Sequence, residues 1–309
     1  MKVKKNKPII YYVIIFIIAI VCLISNKEDR SRVSTETGEN MSDSTALLGD
    51  YGEDNSDDYG YVRFIDAGQG DCTLIEVDGK FVLIDASTES YSNKVVSYLE
   101  QMGVEELEYV FFTHPHEDHI GGGDEVIENF IVKNVCMNDK TENTSCYRNL
   151  IETIAQSKMD NGTKVIKPNT GDVFNVGNAE FLIISDGRNY YDNTNNSSIC
   201  IRMDYGKSTF LFTGDAEKKV ENDLLEGPFS LDAEVYKCAH HGSSTSNSDN
   251  FLDAINPDIS IISCGEDNEY GHPHAEIISA LDERNIISRR TDLDGNVVLK
   301  FNEEQIILM

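Results

Sequence analysis

Thr113-His114-Pro115-His116-Glu117-Asp118-His119-Ile120-Gly121-Gly122-Gly123 follows directly on the apolar run Tyr109, Val110, Phe111 and Phe112. Three imidazoles and one carboxylate, those of His114, His116, His119 and Asp118, therefore fall within six residues at the end of a predicted strand. Nitrogen donors and an acid in this density suit a borderline dication such as zinc. Alternate spacing in a tight loop lets them face two adjacent ions. A lone histidine is usually a packed or surface residue, but no packing demand gathers three of them around an Asp.

On either side of this loop, short β-rich runs alternate with helical ones. Tyr61 to Asp66, Cys72 to Val77 and Phe81 to Asp85 read as a meander divided by Gly-containing turns. Ser92 to Met102 carries Val95, Val96, Leu99 and Met102 on one helical face, and Leu107 to Phe112 is the strand that delivers the histidines. Strands are predicted at Val132 to Met137, Phe181 to Ser185, Ser198 to Asp204, Thr209 to Thr213, Ala233 to Ala239 and Asp258 to Cys264. Helices are predicted at Cys146 to Lys158, Ala216 to Leu225, Asn250 to Ile255 and His274 to Arg284, and Val297 to Phe301 with Gln305 to Met309 forms a closing hairpin. Strands flanked by helices imply a layered α/β domain over residues 60–309.

The 309 residues, 40% of them hydrophobic, are ample for a core. Lys2, Lys4, Lys5 and Lys7 precede a charge-free run from Ile9 to Ser25, so residues 1–26 read as a signal anchor, or as a signal peptide if cleaved. Only Ala19 is well placed for cleavage, which favours an anchor that keeps the remaining chain outside the cytoplasm; a cleaved chain would be secreted. Cys22 lacks the small preceding residues that lipidation prefers. Residues 27–59 are polar and acidic and read as a disordered linker. With the basic start (+4) and the linker (−7) set aside, the formal −28 leaves about −25 on residues 60–309. A surface so charged disfavours extended contact with nucleic acid, although screening within roughly 8 to 10 Å leaves a single phosphate free to reach a metal site. The seven cysteines imply no disulfide framework, and Cys136 with Cys146 is the one pair placed to bridge.

His114-x-His116-x-Asp118-His119 resembles the signature of the metallo-β-lactamase superfamily. Within it the chain is most similar to the metallo-hydrolase domain of ComEC-type DNA-uptake proteins. The blocks that carry this are Phe64-Ile65-Asp66-Ala67-Gly68-Gln69-Gly70-Asp71, Leu83-Ile84-Asp85-Ala86, Phe212-Thr213-Gly214-Asp215, Ala239-His240-His241-Gly242-Ser243 and Tyr270-Gly271-His272-Pro273. Phosphorylcholine esterases of the bacterial surface are similar in the same blocks. The resemblance implies an αββα sandwich with two divalent ions at one edge. It implies His114 and His116 on the first ion, Asp118 and His119 on the second, and Asp215 bridging. His240 stands where the superfamily's order puts the last ligand of the second ion. His241 is its competitor, and whichever is left would act as a general acid or supplement the first ion. Asp85 would orient a ligand histidine, and Gln69 and Asp71 would lie beside the metals. Between Ile120 and Ala239 the chain has no histidine for the first ion, and Asn195, Asn196, Ser197 and Ser198 occupy that stretch. Neutral oxygens favour harder ions, so manganese stands beside zinc.

The implied activity is hydrolysis of a phosphodiester or related ester by a water that two ions acidify, with Asp118 in the machinery and His241 or His272 protonating the leaving group. His274 is expected to be an exposed residue in the first turn of the last helix. Three readings follow: a phosphodiesterase or nuclease, a hydrolase of small cell-envelope esters, and a silent metal-dependent binding or sensor module. A β-lactam target has no support in the sequence.

Overall fold

The computed structural model describes residues 59–190 and 192–309. The anchor expected at residues 1–26, and the expected linker up to residue 58, lie outside the described residues. Among the described residues no helix is long and apolar enough to cross a membrane.

The meander is formed by β1 (Gly60–Phe64), β2 (Thr73–Val77) and β3 (Lys80–Ile84), paired antiparallel. From β3 the chain continues in parallel through β4 (Glu106–Phe111), β5 (Ile131–Cys136) and β6 (Lys164–Ile166). The second half contributes β7 (Val173–Val176), β8 (Ala179–Ser185), β9 (Cys200–Tyr205) and β10 (Ser208–Phe212), all antiparallel. After these, β11 (Val235–Lys237), β12 (Ile259–Ile262) and β13 (Ile287–Arg290) extend the sheet in parallel. The chain then returns to the first sheet as β14 (Val297–Phe301) and β15 (Ile306–Leu308). Strand order is β15-β14-β1-β2-β3-β4-β5-β6 in one sheet and β13-β12-β11-β10-β9-β8-β7 in the other.

Inner strands are buried on both faces, which is why they read as nearly continuous apolar runs. In β2, Ile75 and Val77 enter the core between the sheets while Leu74 faces the helices outside. Aromatic rings close the seam between the sheets: Phe64 lies 6.3 Å from Phe212, Phe111 6.0 Å from Phe181, and Phe210 5.3 Å from Phe301. Helices Ser92–Gln101, Gly123–Asn129 and Ser145–Asp160 bury Val95, Leu99, Val126, Ile127, Leu150 and Ile154 against the first sheet. Helices Lys218–Leu225, Asp249–Ile255 and Ala275–Glu283 bury Val220, Leu224, Phe251, Leu252, Ile277 and Leu281 against the second. The layers therefore run helix, sheet, sheet, helix.

Three strands are absent from the sequence reading, namely β6, β7 and β13, and each is an outermost strand of its sheet. Edge strands are short and tolerate polar residues because one side pairs with nothing, so Ile-Ser-Arg-Arg in β13 carries no alternating pattern. Helices Glu117–Ile120 and Gly123–Asn129 also stand where only a loop was expected beyond the histidines. All six described cysteines are free and buried. Cys136 faces the core between the sheets and Cys146 the helix layer on the other side of the first sheet, so the pair does not bridge.

Candidate metal centre

The parallel directions of β3 to β5 and of β10 to β12 bring their following loops to one edge of the sandwich. β4 delivers Thr113 to His119, β3 delivers Asp85, β10 delivers Asp215, and β11 delivers His240 and His241. The turn between β1 and β2 packs beneath them. A Cβ on Gly70 would lie 2.6 Å from the Asp118 carbonyl and 2.7 Å from Ser87 Oγ, so glycine is needed for that approach. Gly214, with φ +52°, plays the same part before Asp215, close under Ser198 and Thr113.

Beside a fully buried group of Asp71, Asp85 and His119, two groups of potential ligand atoms face the cleft, each confined within 4.8 Å: Asp118, His119, Asp215 and His241, and His114, His116 and Asp215. Asp215 is common to both. His241 rather than His240 joins Asp118, with Nε2 3.2 Å from Asp118 Oδ2 and 3.7 Å from Asp215 Oδ1. The sequence order pointed to His240. The backbone decides otherwise: both residues are left-handed, with φ of 49° and 53°, and the turn drives His241 inward while His240 remains 18% exposed. His240 Nε2 is 3.7 Å from Asp215 Oδ2 and 3.4 Å from Asn195 Nδ2.

The donor set fits cations. His119 Nε2 and Asp215 Oδ1 lie 3.2 Å apart but are misaligned for a hydrogen bond, and both are buried with no hydrogen-bond partner. Buried polar atoms are rarely left so unless something else satisfies them. The ring nitrogens not facing the centre are anchored. His119 Nδ1 lies 2.8 Å from Asp85 Oδ2, and Asp85 also accepts from the Thr113 N–H (2.8 Å) and hydroxyl (2.7 Å). His241 Nδ1 donates to the Ser263 carbonyl at 2.9 Å. Such contacts fix the tautomer and aim the other nitrogen at an ion. His114 Nδ1 is 3.3 Å from Ser198 Oγ, which also accepts from the Asp215 N–H at 3.0 Å.

Electrostatics without an ion reinforce this. Burial pulls the His241 imidazole down, but Asp215 and Asp71 outweigh it and push it up to about 10. Burial likewise opposes protonation of His119, and Asp215, Asp85 and Asp118 raise it well above the ordinary histidine range. Burial raises and His119 with His241 lowers the Asp118 carboxyl, to about 2, and the Asp215 carboxyl sits well below its usual range for the same reasons. Protons on two imidazoles thus balance the buried carboxylates that a dication would otherwise neutralise. His114 is held well below its ordinary value, by burial first and His119 second, and its Nε2 lies 3.0 Å from His116 Nδ1, the two rings turned toward one point.

Around the centre, Asn196 Oδ1 accepts from the Glu217 N–H at 2.9 Å, and Asn195 Nδ2 reaches Glu217 Oε1 at 3.3 Å. Asn195 Oδ1 is buried without a partner. Gln69 Oε1 accepts from the Gly265 N–H at 3.0 Å, tying the early turn to the loop after β12. Asp71 is buried beneath His241 rather than open to the cleft, paired with Lys237 at 2.8 Å. His272 is half-buried; burial, then the neighbouring His241, His240 and His274, bring it down to about 4. His274 differs from expectation: it is partly buried, and its Nδ1 accepts from the Ser244 N–H at 2.9 Å, bracing the His240–His241 turn. All seven histidines of the chain belong to one run of neighbouring rings, from His116 through His114, His119, His241 and His272 to His240 and His274. None serves packing elsewhere. A cleft of about 370 Å³ opens over the centre, lined by Gln69, His116, Glu117, Asp118, Asn195, Asp215, His240, His241, Tyr270 and His272, with no Lys or Arg among them.

Lys237 and Tyr270 escaped the sequence reading as site residues. So did Asn247, whose side chain binds the backbone of Ala239 and Ser243 on either side of the histidine turn. A charge in an otherwise apolar strand, Val235-Tyr236-Lys237-Cys238, was the available sign for Lys237.

The model of the metallo-beta-lactamase superfamily matches residues 65–266. The chain is 26% identical over 260 residues to ComE operon protein 3 of Bacillus subtilis, covering 78% of this chain and 33% of that one. It is 30% identical over 237 residues to competence protein ComA of Neisseria gonorrhoeae, covering 76% and 31%. It thus spans about a third of the length of these relatives. Among solved structures, the metallo-beta-lactamase fold protein YhfI from Bacillus subtilis superposes with a TM-score of 0.53 at 13% identity, over 78% of this chain and all of that one. With the layered fold, the histidine loop and the matched model in agreement, the chain belongs to the metallo-beta-lactamase superfamily and resembles its ComEC-type competence members.

Proposed function

We propose that the chain is a metal-dependent hydrolase that cleaves a phosphodiester or related ester, tethered by residues 1–26 with its folded part outside the cytoplasm. The observation that carries this reading is the pair of ligand groups sharing Asp215. His114, His116 and Asp215 would hold one divalent ion, and Asp118, His119, Asp215 and His241 the other. Zinc suits the two imidazoles in each group, and manganese is favoured at a first site that has the neutral oxygen of Asn195 nearby in place of a third histidine. When bound, the two ions would supply an acidified water and positive charge beside the developing anion.

The chain's own groups do the rest. Asp85 and Thr113 hold His119, and Ser263 holds His241, so their ligand nitrogens need no reorganisation. His240 takes the open position over the cleft, its Nδ1 3.0 Å from Thr245 Oγ1, and is the group placed to protonate a leaving oxygen. His272, 5.5 Å from His240 between ring centres, is held down by burial first and His241 second, which suits it to accept a proton more than to supply one. That leaves His241 to the metal rather than to the leaving group.

The resemblance to ComEC-type DNA-uptake proteins, with a relative named competence protein ComA, supports a nucleic-acid phosphodiester as substrate. A second reading, hydrolysis of small envelope esters such as phosphorylcholine esters, is favoured by the net charge of −28 and by a cleft without Lys or Arg. The test is to load the purified chain with zinc or manganese and assay bis-p-nitrophenyl phosphate, single-stranded DNA and phosphorylcholine esters side by side. DNA cleavage at physiological salt selects the first substrate, and turnover confined to small esters selects the second. Full metal loading with no turnover of any substrate refutes the hydrolase and leaves a silent binding module.

A further inference from the structure

We propose that Lys237 and Asp71 form a positioning pair that sets the affinity of the Asp118–His119–Asp215–His241 group for its ion. The inference rests on the dimetal reading above and concerns one of its two sites. Lys237 is the last residue of β11 and only 3% exposed, at the tip of a strand whose Val235 belongs to the core between the sheets. Its Nζ donates to the Cys238 carbonyl at 3.0 Å and lies 2.8 Å from Asp71 Oδ2. Asp71 belongs to the turn between β1 and β2, so the pair joins the two sheets directly beneath the centre. A buried ion pair is a weak device for stability alone, because desolvation cancels much of its attraction.

What distinguishes this pair is where Asp71 leads. Its second oxygen, Oδ1, lies 3.3 Å from His241 Nδ1 and has no hydrogen bond of its own, because the Nδ1 proton is directed at Ser263. Its backbone N–H donates to the Asp118 carbonyl at 2.9 Å. Asp71 therefore touches two ligands of one group, one through the side chain and one through the main chain. Its described hydrogen bonds and ion pairs include neither His114 nor His116, which belong to the other group. A carboxylate beside Nδ1 favours the Nδ1–H form and so leaves the Nε2 lone pair facing Asp118 and Asp215. Lys237, 2.8 Å from the other oxygen, holds that buried carboxylate in place against His241.

The experiment loads the full chain with cobalt, counts bound metal by elemental analysis and follows the titration by the visible cobalt spectrum. Wild type is expected to take up two equivalents. Lys237→Met is expected to bind one equivalent as wild type does and the other about 10- to 100-fold more weakly. Unchanged affinity at both sites would overturn the proposal, as would an equal loss at both, which is the mark of a purely structural staple. If Lys237→Met does not fold, Lys237→Met/Asp71→Asn removes both buried charges together. The same one-site loss there supports the pair, and wild-type affinity at both sites overturns it. A wild-type chain that takes up no metal would sink the dimetal reading itself, a result separate from any behaviour of the variants.

Discussion

Asp85→Asn isolates one hydrogen-bonded carboxylate without disturbing the backbone. Asp85 has φ 59°, a left-handed conformation that Asn tolerates as well as Asp, so the turn survives. The carboxylate accepts three bonds: Oδ1 from the Thr113 N–H, and Oδ2 from the Thr113 hydroxyl and His119 Nδ1. An amide has one acceptor and one donor end, so one of two arrangements follows. If the amide oxygen faces His119, the NH₂ meets the buried Thr113 N–H and leaves it unsatisfied, at about 1–3 kcal/mol. For a domain of this size that is a fall of roughly 5 °C in Tm, at about 2–4 °C per kcal/mol. If the NH₂ faces His119, Nδ1 must become the acceptor and the proton moves to Nε2, which removes the lone pair aimed at the metal. The expected result is thus either a lowered Tm of the metal-free chain or a 10- to 100-fold weaker second metal site. Differential scanning fluorimetry and a cobalt titration separate the two. An Asp85→Asn chain that melts within about a degree of wild type, on the same scale of a few degrees per kcal/mol, and binds both ions normally would refute the assignment of Asp85 as the anchor of His119.

Asp215→Asn removes the one carboxylate common to both ligand groups, and elemental analysis is expected to find both equivalents lost; retention of either ion would show that Asp215 does not bridge. Metal uptake near neutral pH is expected to release protons, because His241 and His119 are charged in the ion-free site and must be neutral to ligate. Apparent affinity should therefore rise about tenfold per pH unit for each proton displaced as pH increases towards 10, and calorimetry in buffers of different ionisation enthalpy measures this. An affinity flat between pH 6 and 9 would contradict it. If DNA is cleaved, raising ionic strength from about 0.01 to about 0.15 M, which shortens screening from about 30 to about 8 Å, is expected to lower KM. That is opposite to the behaviour of a basic nuclease, and a KM that climbs with salt would mean a cationic surface governs binding.

The histidine loop was legible because its donors are contiguous, and Asp215 because it ends an apolar strand after Gly214. The choice between His240 and His241 was not, because it depends on two left-handed residues whose turn is held by Asn247 and His274 from other elements. Interior strands could be read from their apolar runs, and the edge strand β15 from its apolar Ile306-Ile307-Leu308, while β6, β7 and β13, short edge strands with polar residues or no pattern, could not. Lys237 stayed hidden for a related reason. Its counter-ion comes from the opposite sheet, and a lysine in a short strand looks like a solvated residue until Asp71 is seen beside it.

The ligands are divided between the two halves of the sandwich: His114, His116, Asp118 and His119 follow a strand of one sheet, and Asp215 and His241 follow strands of the other. Neither half alone offers either cluster in full. If the centre takes up ions as proposed, loading would therefore proofread the mating of the halves: a chain whose sheets had docked out of register would present no complete nest and gain nothing from ambient ions, while a correctly joined one would be locked shut by them.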